Sequence, residues 1–145
     1  IKSPGLTAAP AIAGMALELL RECGLTAKPK ERRVIPRPKR FSEMDAGEKK
    51  SLLARDPSYG RVICRCETIT EGEIRAALNS SQIPPRSLDG VKRRCGTGMG
   101  RCQGGFCGPR VLELLAEHYR VKLDGVPQDR ADMYILTGET KAGAA

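Results

Sequence analysis

The chain has 145 residues, yet only 3% of it is aromatic and there is no Trp, so a large core is excluded and a small one expected. Its net charge of +8 suggests nucleic acid at first, but the segment from Lys28 to Arg40 supplies +6 of it, with seven basic residues and one acid. That segment also holds three prolines and no aromatic residue on which a base would stack, so it reads as a solvated linker and no nucleic-acid partner is expected.

The chain opens on Ile1 and runs through Ser3-Pro4-Gly5, which reads as a piece of a longer protein. The apolar stretch from Ala8 to Leu20 lacks a preceding basic region and a cleavage-like ending, so it is not read as a signal peptide, and it is too short to span a bilayer. No transmembrane segment is expected and the setting is read as cytoplasmic. Thr7 or a close neighbour caps a predicted helix to about Cys23, with Ile12, Met15, Ala16, Leu19 and Leu20 on one face and Gly24 as its stop. That apolar stripe needs a partner, which fits a helix that packs on a domain outside this piece.

Residues 25–60 are read as the basic linker and a short helix from Asp45 to Ala54, followed by a turn over Asp56-Pro57-Ser58-Tyr59-Gly60. A compact unit is expected over 61–120. Val62 and Ile63 are β-branched and lead into Cys64-Arg65-Cys66; Thr70-Glu71-Gly72-Glu73 then has the form of a capping box for a helix to about Asn79. Ile83-Pro84-Pro85 breaks the pattern, and Ser87 caps a second short helix through Arg94. Residues 95–108 hold six glycines and three cysteines, a loop built for backbone freedom. Pro109 suits a first helical turn, and Val111, Leu112, Leu115 and Tyr119 form the apolar face of a helix ending near Arg120. The tail, 121–145, has mixed polarity, with Tyr134-Ile135-Leu136 as a candidate strand and a disordered end from Lys141 to Ala145.

Six cysteines in a chain this poor in large apolar residues point to a metal centre or to disulfides that help hold it together. Cys64-x-Cys66 places two thiolates close enough for one metal ion, and Cys102-Gln-Gly-Gly-Phe-Cys107 supplies a second pair. Four thiolates complete a [2Fe-2S] centre with two ligands per iron, and they satisfy tetrahedral zinc equally well. A disulfide scaffold is the third reading, disfavoured without an export signal. An all-cysteine cluster is an anion, for which Arg61, Arg65, Arg93, Arg94, Arg101, Arg110 and the peptide N–H groups of the glycine loop offer compensation. Cys23 is read as a packed thiol, Cys95 as a reserve ligand because it shares the loop, and His118 as a packing or surface residue. The run Gly96-Thr-Gly98-Met-Gly100-Arg101 lacks the third glycine of a dinucleotide fingerprint and carries no nucleotide site.

Cys64-Arg-Cys66-Glu-Thr-Ile-Thr-Glu-Gly-Glu-Ile74, Asp89-Gly-Val-Lys-Arg-Arg94 and Gly98-Met-Gly-Arg-Cys-Gln-Gly-Gly-Phe-Cys-Gly-Pro-Arg110 together resemble the bacterioferritin-associated-ferredoxin-like [2Fe-2S] domain. The version they are most similar to is the one fused to FAD-dependent oxidoreductases of the anaerobic glycerol-3-phosphate dehydrogenase type, which has the same spacing between the last two cysteines. The opening Ser3-Pro-Gly-Leu-Thr-Ala-Ala-Pro-Ala-Ile-Ala13 resembles the last glycine turn and helix of their flavin domain, so the likeness covers about residues 1–120. The resemblance implies a mainly α fold: a small helix-turn-helix domain with metal held in loops, preceded by an orphan helix (1–24) from the flavin domain and the basic linker. It implies Cys64, Cys66, Cys102 and Cys107 as cluster ligands, with zinc now the second reading. Cys95 falls where relatives carry another residue.

By the same resemblance, Gly5, Leu6 and Thr7 form the edge of a flavin site in the parent enzyme, and the piece alone is expected to bind no FAD and catalyse nothing. The implied function is an electron-transfer module of an FAD-dependent dehydrogenase, with glycerol 3-phosphate as substrate. Its implied partners are the N-terminal FAD domain and a redox subunit or electron carrier, through which the parent would sit peripherally at the inner membrane face. The alternative is a structural or regulatory zinc module that orders the C-terminus or docks a partner subunit.

Overall fold

The computed structural model describes residues 4–26, 28, 38–80 and 83–141. The chain divides into two compact units, Ile1–Arg37 and Pro38–Ala145. In the first, α1 (Gly5–Glu22) is a single helix with no buried residue. It starts earlier than its sequence suggests: Pro4 stands at the N-cap without a side-chain bond, and Thr7 lies inside the first turn instead of capping it. Gly24 takes a left-handed φ of 90° just past the Cys23 C-cap, the expected stop. Most of the basic linker, including 29–37, lies outside the described residues, as do 142–145 at the C-terminal end.

The second unit begins before the cysteines. Asp45 caps α2 (Ala46–Arg55) by accepting from the Glu48 N–H at 2.9 Å, while Glu48 accepts from the Asp45 N–H at 2.8 Å. A 3-10 turn over Pro57–Gly60 leads into β1 (Val62–Cys64), which pairs antiparallel with β2 (Ile69–Thr70) across an irregular register. Thr70 then caps α3 (Glu71–Leu78) through the capping box read from the sequence, its hydroxyl accepting from the Glu73 N–H at 3.3 Å. Glu73 also accepts from the Phe41 N–H at 3.0 Å, which fastens residues before α2 to the helix behind the first cysteine pair.

Ser87 caps α4 (Leu88–Cys95), and Gly96 ends it with a left-handed φ of 84°, a conformation that costs glycine nothing. The glycine-rich loop runs from there to α5 (Gly108–Tyr119), whose Pro109 stands in the first turn. The mainly α class expected from the sequence is what forms, with a two-stranded sheet added.

The core is one continuous cluster that includes Ile63, Ile69, Ile74, Leu78, Val91, Val111, Leu114 and Leu115, together with Cys64 and Cys107. The tail contributes to it. Val126 is buried, and the Pro127 and Gln128 carbonyls accept from the Leu88 and Asp89 N–H groups at 3.2 and 2.9 Å. Those are open donors of the first turn of α4, so the tail completes that helix end. The candidate strand at Tyr134-Ile135-Leu136 reduces to an isolated bridge between Pro127 and Tyr134, because Ile135 and Leu136 find no partner strand among the described residues.

Candidate metal centre

The two cysteine motifs come from different elements. Cys64 ends β1, Cys66 lies in the turn between β1 and β2, Cys102 lies in the glycine loop, and Cys107 is the N-cap of α5. The structure pairs these thiols across the motifs. The Cys66 and Cys102 Sγ atoms are 3.6 Å apart, and the Cys64 side chain lies close enough to Cys107 to push its thiol up. The pairs differ in burial: Cys64 is 1% and Cys107 2% exposed, whereas Cys66 is exposed and Cys102 half-buried.

The spacing of each motif suggests half a site, whereas each contact between thiols joins one cysteine from each motif. All six cysteines are free. Among the described residues, no three Cys, His, Asp or Glu side chains converge as a group for one metal ion. Two pairs of thiols are the donor set that a two-iron centre requires, with two thiolates for each iron. The residues present therefore fit a [2Fe-2S] group.

The loop supplies the peptide donors that a thiolate-bound anion needs. The Phe106 and Gly104 N–H groups donate to the Cys102 sulfur, and with the Cys66 thiol they hold Cys102 below the ordinary thiol range. Burial first, then the Cys64 side chain, push the Cys107 thiol up to about 11, against a hydrogen bond from the Gly98 N–H. Close approach explains one glycine directly: a Cβ on Gly100 would overlap the Cβ of Cys66, so the loop reaches the surface pair only with glycine there.

Of the six arginines singled out, four have carboxylate or carbonyl partners. Arg93 pairs with Asp129 of the tail at 2.6 Å, and Arg94 donates to the Ile83 carbonyl. Arg65 lies over the Phe106 ring at 4.9 Å, at the rim of the surface pair. Arg61 and Arg110 both reach Glu71, which in the sequence is no more than a residue of the first turn of its helix. No local signal marks Glu71 as more than that, since these partners lie ten residues before it and 39 after it.

Cys95 turns back on its own helix, its thiol donating to the Val91 carbonyl at 3.4 Å, and burial pushes it up to about 12. Cys23 is an exposed C-cap and not the packed thiol expected, because nothing covers that end of α1 among the described residues. His118 stacks edge-on against Tyr119 at 4.7 Å. Gly5, Leu6 and Thr7 make the first turn of α1, where Leu6 is 94% exposed. Among the described residues, no helix is long and apolar enough to cross a membrane.

The family model of the BFD-like [2Fe-2S] binding domain matches residues 62–117, from β1 to the last turn of α5. A glycerol 3-phosphate dehydrogenase of Caloramator mitchellensis is 45% identical over 147 aligned positions, covering 98% of this chain and 30% of that protein. An opine oxidase subunit of Rhizobium meliloti (strain 1021) is 39% identical over 67 positions, covering 46% of this chain and 14% of the relative. An anaerobic glycerol-3-phosphate dehydrogenase subunit of Escherichia coli (strain K12) is 39% identical over 63 positions, covering 43% and 11%. The chain thus spans less than a third of the length of these curated relatives. No solved structure matches it significantly.

Proposed function

We propose, from the BFD-like [2Fe-2S] binding domain that residues 62–117 constitute, that this chain is the electron-transfer module of a larger flavin-dependent dehydrogenase, with Cys64, Cys66, Cys102 and Cys107 as the ligands of its cluster. The observation that carries the reading is the meeting of four thiols in two pairs, one in the core and one at the surface. When bound, the cluster supplies one-electron storage between a two-electron donor and an acceptor.

The residues of the chain do the rest. Cys64 and Cys107 anchor the buried side, while Cys66 and Cys102 bring the other side to solvent, where a partner can approach. N–H groups of Gly98, Gly104 and Phe106 donate to the sulfurs and favour the added negative charge. The likeness to a glycerol 3-phosphate dehydrogenase extends over α1, which supports assigning 1–24 to the edge of a flavin domain, Gly5, Leu6 and Thr7 to a flavin contact, and glycerol 3-phosphate to the parent as substrate. The exposed Leu6, Met15, Leu19 and Leu20 of α1 agree with a helix made to pack on that domain.

Iron, acid-labile sulfide and zinc analysis after anaerobic purification, followed by a redox titration, tests the proposal. Two irons and two sulfides per chain with a reversible one-electron step are expected. Stoichiometric zinc with no redox response would replace the reading with the structural-module alternative.

A further inference from the structure

Among the described residues Glu71 is one of the most buried polar side chains, at 2% exposure. Burial alone would push its carboxyl up, but Arg75 and Arg61 outweigh that and hold it below the ordinary carboxylate range. Three guanidinium groups converge on it: Arg61 at 2.6 Å, Arg75 at 2.8 Å and, more loosely, Arg110 at 3.6 Å, which also pairs with Glu113 at 2.6 Å. The Glu71 N–H also donates to the Arg61 carbonyl at 2.8 Å, so the main chain and the side chain both tie it to that residue. A charge this buried is costly unless every oxygen is engaged, and here both are.

The partners are placed where position matters for the thiols. Arg61 lies three residues before Cys64, and Arg110 three residues after Cys107. Those cysteines are the buried pair, brought together from two segments 43 residues apart. Arg75 extends the network to Glu117 of α5 at 3.2 Å. The surface pair is held differently: Cys66 and Cys102 lie in a turn and a glycine loop, with the Arg65–Phe106 contact joining the two segments. Resting on the four-cysteine reading above, we infer that Glu71 is a positioning residue for the cluster: by binding Arg61 and Arg110 together it fixes the spacing between Cys64 and Cys107, and hence the geometry and retention of the buried half of the site.

The test uses the full chain, loaded anaerobically, with two readouts: the rate of iron release to a chelator and the visible circular dichroism of the cluster. Glu71→Gln keeps the shape but loses the charge that gathers the guanidinium groups. It is expected to release iron about ten-fold faster, as loss of an outer partner of a metal site typically does, and to change the dichroism. Arg110→Gln leaves Glu71 paired by two arginines, so it should fold even where Glu71→Gln does not, and it is expected to show the same changes in smaller degree. Arg110→Lys, which keeps the charge, should restore the unsubstituted chain's behaviour. Glu117→Gln cuts only the exposed arm and should match the unsubstituted chain.

Unchanged release and dichroism in Arg110→Gln would overturn the inference, as would a lowered melting temperature with an unchanged dichroism spectrum in either variant. Those results would leave the four-cysteine assignment standing. An unsubstituted chain without iron and sulfide would remove that assignment and the inference with it.

Discussion

The two thiol pairs of this protein differ sharply in their surroundings. Cys64 and Cys107 belong to the apolar core, packed in the cluster that includes Ile63, Ile74 and Leu115, while Cys66 and Cys102 stand at the surface beside Arg65 and Phe106. Their chemistry follows their surroundings. Burial first, then Cys64, pushes the Cys107 thiol up to about 11, whereas peptide N–H donors hold Cys102 below the ordinary thiol range. One pair is therefore part of the scaffold and the other is the part that meets solvent.

The largest expected effects come from removing one member of each pair. Cys64→Ser or Cys107→Ser places a hydroxyl in the core at a cost of about 1–3 kcal/mol and should leave no iron. Cys66→Ser or Cys102→Ser should leave the metal-free stability within about 0.5 kcal/mol of the unsubstituted chain's and retain a weakly held, labile centre. Iron analysis beside thermal unfolding of the metal-free chains checks both. Equal destabilisation by all four would mean that burial does not distinguish the pairs.

Gly100→Ala should come next. Its new Cβ meets the Cβ of Cys66 and must push the loop away, which affects the surface pair alone. Partial iron loss is expected, with alkylation of the metal-free protein faster at Cys102 and unchanged at Cys107. Faster labelling of Cys107 would show that the loop and core are not independent. A smaller effect is expected from Val126→Ala in the tail, about 1–3 kcal/mol of stability with unchanged iron content, measured by denaturant unfolding.

Most of this scaffold was legible in the sequence where short-range rules apply. The Thr70 and Ser87 caps, the Pro109 helix start and the Gly24 stop each depend on a few neighbouring residues, and each forms where the rule puts it. The Thr7 cap did not form: Pro4 stands at the N-cap and Thr7 already lies in the first turn. What could not be read was long-range. The crossing of the thiol pairs, the contribution of Val126 to the core and the gathering of arginines at Glu71 join residues tens of positions apart, with no periodicity to announce them.

Cys95 gives the smallest effect and the sharpest control, because it is a half-buried thiol at the end of α4 that turns back on its own helix. Its thiol is pushed up to about 12, by burial first, and donates to the Val91 carbonyl. Cys95→Ser should therefore leave the iron content unchanged; a loss like that of Cys107→Ser would make Cys95 a ligand. Its signature should appear instead in the pH dependence of metal-free stability. Between an ordinary thiol value of about 9 and its own value of about 12, the folded chain keeps the Cys95 proton and the unfolded chain loses it. The stabilisation from the protonated thiol is thus whole below pH 9 and is lost as the pH rises through that window. Cys95→Ser does not titrate there, so its stability should fall less steeply than the unsubstituted chain's between about pH 9 and pH 10.5 in parallel urea titrations, while Cys107, raised in both proteins, contributes equally to each. Parallel slopes would mean that the Cys95 thiol is solvated.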